Sequence, residues 1–248
     1  MFELTNKTAL VTGGSRGIGR ASVVALANAG AHVIVHYGRS ADEANALVAE
    51  IRGKGGKADA VQVDLARPDS PAKLAQQVKA IVGDRLDILV ANAGVSGAAT
   101  IAEQTVAGFD NLWAVNVRAP YFLVQQLLPL LHDGSSVILI SSLGARSAVG
   151  NLSAYASTKG ADDTLVKYFA AALGPQGIRV NAVAPGVIDT DMSHYTKTEE
   201  GRKAALGMQA LKRIGKPDDI ADVVAFLASN GARWITGTIV QVDGGTKL

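Results

Sequence analysis

Tyr155 and Lys159 could form an acid/base pair. They are four residues apart in a segment with a helical pattern, so their side chains lie one turn apart on one face. A phenol in water loses its proton only near pH ~10, and a neighbouring ammonium favours the phenolate. The pair could therefore exchange a proton with a substrate near neutral pH, although the same spacing also occurs in ordinary surface pairs.

Ser142 and Asn116 are polar residues in apolar surroundings. Ser142 follows the predicted strand 135–141, at the carboxyl edge where open α/β sheets bind ligands. Its hydroxyl could hold a carbonyl oxygen beside the phenol, or it could cap a turn. Asn116 interrupts an apolar helical run, and a buried amide needs hydrogen-bond partners. We expect Asn116 to orient a water or Lys159, the alternative being an amide satisfied within the core.

A glycine-rich turn is the candidate phosphate site. The predicted strand 7–12 runs into Thr12-Gly-Gly-Ser-Arg-Gly-Ile-Gly19 and then into a helix. The spacing G-x-x-x-G-x-G differs from G-x-G-x-x-G, but its glycines equally allow a tight turn and the close approach of a pyrophosphate to the helix N-terminus. An ordinary glycine-rich turn is the alternative. The candidate cofactor residues of this loop are Gly13, Ser15, Arg16, Gly17, Ile18 and Gly19.

The end of the second predicted strand indicates which dinucleotide binds. An NAD site normally presents Asp or Glu there, about 20 residues beyond the glycines. Residues 35–40 contain no acid. Arg39 and Arg16 could instead bind a 2′-phosphate through charge-assisted hydrogen bonds, unless both are simply solvated. We therefore expect NADP(H) in preference to NAD(H).

Short apolar segments alternate with longer amphipathic ones, as in a doubly wound α/β fold with a parallel sheet. A flavodoxin-like strand order is the alternative, because periodicity does not determine the order. The predicted strands are 7–12, 31–37, 58–63, 87–92, 135–141, 178–184 and 239–242. The predicted helices are 17–29, 41–53, 70–82, 109–131, 153–173 and 217–229.

The composition narrows the function classes. The 248 residues are 48% hydrophobic and 19% charged, which predicts one globular domain over residues 1–248. A net charge of +2 without a basic stripe argues against nucleic acid as the main partner, and no segment is apolar enough to predict a membrane span. The chain has no cysteine, no HExxH and no acidic cluster, so we expect no metal. A reducing compartment fits the absence of cysteine, and we expect the cytoplasm.

Several motifs together resemble the short-chain dehydrogenase/reductase family, and within it the 3-oxoacyl-[acyl-carrier-protein] reductase-like group. The resemblance spans essentially the whole chain. One departure is Ala91-Asn-Ala-Gly94, where Asn-Asn-Ala-Gly is commoner, and we expect it to affect packing more than chemistry. The matching motifs are Thr12-Gly-x3-Gly-Ile-Gly19, Asp64, Asn92-Ala-Gly94, Asn116, Ser142, Tyr155-x3-Lys159, Pro185-Gly186 and Val242-Asp-Gly-Gly245.

The resemblance implies a Rossmann fold with seven parallel strands and an NADP(H)-dependent oxidoreductase. The substrate would be a carbonyl compound or secondary alcohol, such as a 3-oxoacyl thioester or a small ketone. Tyr155 would donate the proton, Ser142 would hold the same oxygen, and Lys159 would bind the nicotinamide ribose. Asn116 would position a water that resupplies protons through Lys159. The implied cofactor contacts are Asp64 at the adenine, Asn92 and Gly94 at the adenosine side, and Pro185, Gly186 and Thr190 at the nicotinamide end.

Other functions stay open on the same fold, because fold does not determine function. A cofactor-sensing binding protein would not need the acid, and a methyltransferase would share the glycine-rich first turn. The residues between Ser142 and Tyr155 predict a mostly apolar substrate face without identifying the substrate. The candidate lining residues are Leu143, Ala148, Val149, Asn151 and Leu152.

Two regions of the sequence predict a substrate lid and a subunit interface. Residues 189–213 mix charges with apolar residues, so we expect a substrate lid in which Met192 and Tyr195 contact the substrate, the alternative being a permanently packed surface helix. The helices 109–131 and 153–173 carry apolar residues on more than one face. The family resemblance makes the partner of the second face another subunit of a homotetramer. Representative apolar residues of these helices are Leu123, Leu127, Leu130, Leu165, Tyr168 and Phe169.

Overall fold

The fold, described by a computed structural model over residues 2–247 apart from the side chains of residues 194 and 195, contains one parallel sheet. Its seven strands have the order β3-β2-β1-β4-β5-β6-β7. This order confirms the doubly wound Rossmann fold and excludes the flavodoxin-like alternative. The strands are β1 (Thr8–Val11), β2 (His32–Tyr37), β3 (Lys57–Gln62), β4 (Ile88–Ala91), β5 (Ser136–Ile140), β6 (Arg179–Pro185) and β7 (Ile239–Val242).

Helices cover both faces of the sheet, because successive strand side chains point to opposite sides. Leu10 joins one buried cluster, whereas Ala9 and Val11 join the other. Helices α3, α5 and α6 contribute to the first cluster, and α1, α2 and α8 contribute to the second. In the described part of the chain, no helix has both the length and the apolar character needed to cross a membrane. The helices are α1 (Gly17–Asn28), α2 (Ala41–Gly53), α3 (Ser70–Val82), α4 (Val106–Trp113), α5 (Ala119–Leu127), α6 (Ser153–Leu173), α7 (Glu199–Met208) and α8 (Pro217–Ala228).

The single helix predicted over residues 109–131 is wrong, because the structure divides it. It begins earlier, at α4, where Thr105 Oγ1 accepts a hydrogen bond from the Gly108 amide at 3.1 Å. A π-helical turn at Ala114–Arg118 separates α4 from α5, and a 3₁₀ turn at Leu128–Leu130 follows α5. Such π turns are rare insertions that often occur at functional sites, and this one contains Asn116.

The outer face of α5 and α6 is apolar, as the sequence predicted, and the leucines named there lie on the inner face. Leu123, Leu127 and Leu130 are all buried against the sheet. The exposed apolar side chains are instead Tyr121, Phe122, Leu128 and Tyr168. The second apolar face therefore exists, and it is mostly aromatic.

Residues 189–213 form a separate small layer beyond β6. A 3₁₀ segment at Asp191–Lys197 precedes α7, whose Ala205 is buried with Val187 and Ile214 in a cluster of its own. The layer is joined to the C-terminal segment by backbone hydrogen bonds, among them Leu211 N to Gly244 O at 2.9 Å.

Candidate active site

Ser142 and Tyr155 meet at the carboxyl end of β5. Ser142 lies two residues beyond the strand, where its Oγ accepts a hydrogen bond from the Gly144 amide at 3.1 Å. A Cβ placed on Gly144 would be 3.5 Å from Ser142 Oγ and 3.8 Å from Tyr155 Cε1, so the hydroxyl and the ring flank the same point. Both residues are partly exposed. Because the Gly144 bond uses Ser142 Oγ as acceptor, its proton is free to bind a substrate oxygen.

Lys159 is buried one helical turn from Tyr155. Its Nζ donates to the Ile140 carbonyl at 2.8 Å and to Asp162 Oδ2 at 2.9 Å. Burial by itself would lower the pKa of Lys159, but the nearby charges of Asp162 and Tyr155 outweigh it and raise that pKa above its ordinary value. Lys159 is therefore a cation held at the end of β5.

Asn116 holds the π-helical turn to two other segments. Its Nδ2 donates to Val95 O at 2.9 Å and to Thr158 Oγ1 at 3.0 Å, and its Oδ1 accepts from Val95 N at 2.9 Å. The described contacts of this amide do not include Lys159, although a Cβ on Gly94 would lie 3.4 Å from Asn116 Oδ1 and 3.9 Å from Lys159 Nζ. The structure thus places Asn116 near Lys159 across Gly94, with its amide satisfied by the protein.

The glycine loop turns tightly from β1 into α1. Gly13 and Gly17 have φ angles of 64° and 54°, in the left-handed region that favours glycine. A Cβ on Gly19 would be 2.1 Å from Gly13 O, so only glycine allows the helix to pass so close to the loop. The N-terminus of α1 has no side-chain cap and no acidic residue in its first turn. Its unpaired amides therefore suit an anion.

Two polar residues, the buried Thr12 and the partly buried Asn92, fix this loop to the strands around it. Asn92 Nδ2 donates to Thr12 O at 2.8 Å and to Gly13 O at 3.1 Å, while Thr12 Oγ1 accepts from the amides of Asn92 and Ala93. Both N–H groups of the Asn92 amide are used in this way. The loop is thereby joined to the end of β4, next to Gly94.

His36 supports the loop from β2. Its Nδ1 accepts from the Gly13 amide at 3.1 Å, and its Nε2 lies 3.0 Å from the Val63 carbonyl. These partners require the neutral ring with its proton on Nε2. Burial lowers the pKa of His36 to about 4, against the smaller opposing effect of the Val63 hydrogen bond.

Three of the residues predicted to bind the adenosine half are exposed, namely Arg16, Arg39 and Asp64. Arg16 is the residue before α1, and Arg39 follows β2. Asp64 follows β3, and its Oδ1 accepts from the Ala66 amide at 3.1 Å. Arg16 Nη1 is 3.8 Å from Asp191 Oδ2, with both side chains about two-thirds exposed. No ion pair of Arg39 occurs within residues 2–247. Both guanidiniums are thus available at the end of β2 and the start of α1.

The residues predicted for the nicotinamide end follow β6. Pro185 ends the strand, and the Gly186 amide donates to Val242 O at 3.1 Å. A Cβ on Gly186 would lie 2.7 Å from Asp243 Cα, so glycine is needed where β6 passes the C-terminal segment. Thr190 Cγ2 would be 3.5 Å from a Cβ on Gly17, which places Thr190 over the glycine loop. The predicted lid therefore begins beside the candidate phosphate site.

These residues fit a dinucleotide along one edge of the sheet. The uncapped helix N-terminus suits a pyrophosphate, and the cationic Lys159 suits ribose hydroxyls at the other end. The described residues contain no group of three or more His, Asp or Glu side chains that could hold a metal ion. Three residues that the sequence did not indicate also lie in the site, namely His36, Thr158 and Asp162. For Asp162 the available signal was its spacing of three residues from Lys159.

Known proteins resemble this chain over nearly its whole length. The profile of a family described as enoyl-(acyl carrier protein) reductase matches residues 13–247. Versicolorin reductase stcU of Emericella nidulans is 40% identical over 256 residues, covering 98% of this chain and 97% of the relative. The structure of angucycline C-6 ketoreductase LanV with bound NADP has a TM-score of 0.94 and 41% identity, covering 99% of this chain and 97% of that one. A short chain dehydrogenase from Burkholderia cenocepacia in complex with NADP has a TM-score of 0.93 and 38% identity, covering 98% of each chain.

Proposed function

Because this chain belongs to the short-chain dehydrogenase/reductase family, we propose that it is an NADP(H)-dependent enzyme that interconverts a ketone and a secondary alcohol. The observation that carries the proposal is the meeting of Ser142, Tyr155 and the buried cation Lys159 at one sheet edge. A phenol, a second hydroxyl and an ammonium are the groups needed to protonate a carbonyl oxygen that becomes an alkoxide. The same edge carries the glycine loop.

The uncapped N-terminus of α1 would hold the pyrophosphate of the cofactor at this edge of the sheet. Two similar proteins were crystallised with NADP, and this chain offers Arg16 and Arg39 for a 2′-phosphate. When bound, the nicotinamide supplies or accepts a hydride. Asp64 contacts the adenine, and Asn92 and Gly94 contact the adenosine side through atoms not used to hold the loop. The proposed contacts of the nicotinamide end are Pro185, Gly186 and Thr190.

Each catalytic side chain has a separate task. Tyr155 donates its proton to the substrate oxygen during reduction and takes a proton back during oxidation. Ser142 donates a hydrogen bond to the same oxygen, for which its free proton is suited. Lys159 favours the phenolate and binds the ribose hydroxyls with the N–H that remains after Ile140 and Asp162. Asn116 holds the π-helical turn beside Gly94. Both of its N–H groups are used within the protein, so the second lone pair of Oδ1 would position the water that resupplies protons through Lys159.

The substrate is a ketone with an apolar face. The LanV relative is named an angucycline C-6 ketoreductase and the fungal relative a versicolorin reductase, so the first reduces a ketone by name and the second is a reductase by name. In this chain Leu143 is buried beside Ser142, and Val149 and Leu152 are partly buried before α6. A 3-oxoacyl thioester is the second substrate class to test, because the matching family profile carries the name of an acyl-carrier-protein reductase.

The substrate lid comprises residues 189–213. A cleft of about 530 Å³ lies beside α7, and it is lined by residues of this segment and by Ile214. Met192 is 56% exposed and therefore free to contact a substrate, whereas the side chain of Tyr195 lies outside the described residues. The small core beneath α7 consists of few residues, which favours opening of the segment without loss of the sheet.

The enzyme is a homotetramer that acts in the cytoplasm. The aromatic face formed by Tyr121, Phe122 and Tyr168 is the surface that a second subunit covers, since these side chains are 40%, 42% and 72% exposed in one subunit. The proposed cytoplasmic location rests on the absence of cysteine, because a chain without cysteine needs no disulfide bonds and suits a reducing compartment.

Replacement of Tyr155 by Phe tests the function. Tyr155→Phe removes only the hydroxyl, so NADPH binding should persist while kcat for ketone reduction falls by ~10²–10⁴. NADPH fluorescence measures binding, and NADPH consumption with cyclic aryl ketones and a 3-oxoacyl thioester measures turnover. Thr164→Val is the matched control, because it removes a hydroxyl from the same helix at an exposed position, where that hydroxyl donates to the Gly160 carbonyl one turn earlier, and it should leave kcat unchanged. Normal turnover by folded Tyr155→Phe would refute the mechanism, and NADPH binding by wild type without turnover of any ketone would favour a cofactor sensor.

A further inference from the structure

Asp162 is buried beside Lys159 and is only half satisfied. The two side chains are 3% and 7% exposed, and Asp162 Oδ2 accepts from Lys159 Nζ at 2.9 Å. The other carboxylate oxygen, Oδ1, is buried and has no hydrogen-bond partner among residues 2–247. A buried ion pair of this kind adds little to stability, because desolvation of both charges offsets their attraction. Asp162 therefore matters less for the stability of the fold than for the position and charge of Lys159.

Asp162 limits the directions in which Lys159 can donate. An ammonium has three N–H groups, and the Ile140 carbonyl and Asp162 take two of them. The two acceptors come from different elements, since Ile140 ends β5 and Asp162 lies in α6. Held from both sides, Nζ has one N–H left for the rest of the site.

Asp162 also changes the charge that Tyr155 experiences. The described charges that act on Lys159 are those of Asp162, Tyr155 and Asp163, all on α6, and Lys167 on the same helix acts on Asp163. The segments packed against Lys159 present neutral groups. These are the Ile140 carbonyl at the end of β5, the hydroxyl of Ser141 just after it, and the Asn116 amide of the π-helical turn. With Asp162 ionised, the pair it forms with Lys159 has no net charge. A neutral pair stabilises a phenolate less than a lone ammonium does.

We propose that Asp162 is a positioning residue for the reaction, which anchors Lys159 and sets the pH range in which the Tyr155–Lys159 pair accepts a proton. The inference rests on the proposed function, in which Tyr155 is the proton donor and acceptor. Burial raises the pKa of Asp162 despite the opposing effect of Lys159, as expected for a carboxylate with one unpaired oxygen. The Asp162 carboxylate thus opposes the effect of Lys159, which favours the phenolate of Tyr155.

Titration of the cofactor-free protein tests this inference without requiring turnover. Tyrosinate absorbance is followed against pH for wild type and Asp162→Asn, and the signal of the matching Tyr155→Phe protein is subtracted to isolate Tyr155. Asp162→Asn keeps the size and one hydrogen-bond acceptor but removes the charge. We expect its midpoint to fall by about one pH unit, and the acid limb of alcohol oxidation to move by the same amount. Asp162→Glu, which restores the charge, should return the midpoint toward that of wild type.

Asp163→Asn is the matched control. It removes the same charge from the next residue of α6, where the carboxylate accepts from Ser141 Oγ at 2.6 Å rather than from Lys159. Its midpoint should move by less than half as much. Asp162→Leu, an apolar replacement that tolerates burial, should show the same shift as Asp162→Asn if the latter folds poorly. Circular dichroism reports folding of every variant.

The outcomes separate the two proposals. Loss of thermal stability in folded Asp162→Asn and Asp162→Leu, with the tyrosinate midpoint unchanged, would mean that Asp162 is only structural and would overturn the inference. An equal shift in Asp163→Asn would overturn it too, because the effect would then belong to the charge of the helix. A shifted midpoint in a protein that reduces no ketone would uphold the role of Asp162 in setting the ionisation of the pair and refute the proposed function.

Discussion

Protonation of His36 should lower the free energy of unfolding between pH ~6.5 and ~4, and replacement of His36 should remove this loss. Burial lowers the pKa of His36 from 6.5 to about 4 in the folded protein, whereas the unfolded chain exposes the ring to water. Between these values the unfolded state binds a proton and the folded state does not. The contribution of the neutral ring is therefore fully present above pH 6.5 and is lost as the pH falls toward 4.

The magnitude follows from the difference between the two pKa values. At about 1.4 kcal/mol per unit, the full loss is about 3 kcal/mol, and about 2 kcal/mol should already be lost at pH ~5. The structural cause is local: protonation of Nδ1 would place two donors, the ring N–H and the Gly13 amide, against each other. The glycine loop would then lose its support from β2.

Urea unfolding at several pH values measures this loss. His36→Asn is the reference, because its amide can still accept from the Gly13 amide but does not titrate. The free energy of unfolding of wild type, minus that of His36→Asn, should fall by about 2 kcal/mol between pH ~7.5 and ~5. Subtraction removes the contributions of carboxylates common to both proteins.

His32→Asn is the control on the same strand. His32 Nε2 lies 2.6 Å from Asp59 Oδ2, so this ring pairs with a carboxylate and does not support the glycine loop. This variant should retain the whole loss seen in wild type. A difference between wild type and His36→Asn that stays constant with pH, within about 0.5 kcal/mol, would show that His36 is not held neutral and would refute the reasoning.

Three further predictions concern the cofactor, the lid and the assembly. Arg16→Ala combined with Arg39→Ala should lower the ratio of kcat/KM for NADPH to that for NADH by about tenfold or more, since each guanidinium would lose charge-assisted bonds to the 2′-phosphate; an unchanged ratio would refute the assignment. Amide exchange across residues 189–213 should slow when NADPH and a ketone analogue are added, while α2 stays unchanged as the internal control. High protection of that segment already in the free enzyme would instead support a permanently packed helix. Light scattering should give a mass near four times 25.5 kDa, and a mass of 25.5 kDa at micromolar concentration would reject the tetramer.

The sheet and its site edge could be predicted because they depend on local patterns. The central strands are short apolar segments, and the strands carrying site residues are followed by a polar or glycine residue, as β5 is by Ser141 and Ser142. In a parallel sheet with this strand order, the carboxyl ends of β1, β4, β5 and β6 lie side by side. The glycine loop, Ser142 and Pro185 are therefore brought together by topology alone. The spacing of Tyr155 and Lys159 needed only the period of a helix.

The π-helical turn could not be predicted, because its cause lies far away in the chain. The apolar pattern continues through residues 114–118 as it would in an ordinary helix. What distinguishes this turn is the bonding of Asn116 to Val95 and Thr158, residues 21 and 42 positions away. Hydrogen bonds between distant segments leave no periodic signal in the sequence.

The burial of His36 and Asp162 could not be predicted from the sequence for a related reason. Asp162 and His36 are residue types that usually occur at solvated positions, and only the packing of α6 on the sheet and of β2 beneath the loop buries them. Each then acts on a neighbour that was predictable: His36 on the glycine loop, and Asp162 on Lys159. The two ends of the site are also joined, since Asn92 fixes the loop to β4 two residues before Gly94, which adjoins Lys159 Nζ. A change in the protonation of either buried group should therefore be detectable at both ends of the site. It should alter the affinity for the cofactor and the pH dependence of turnover.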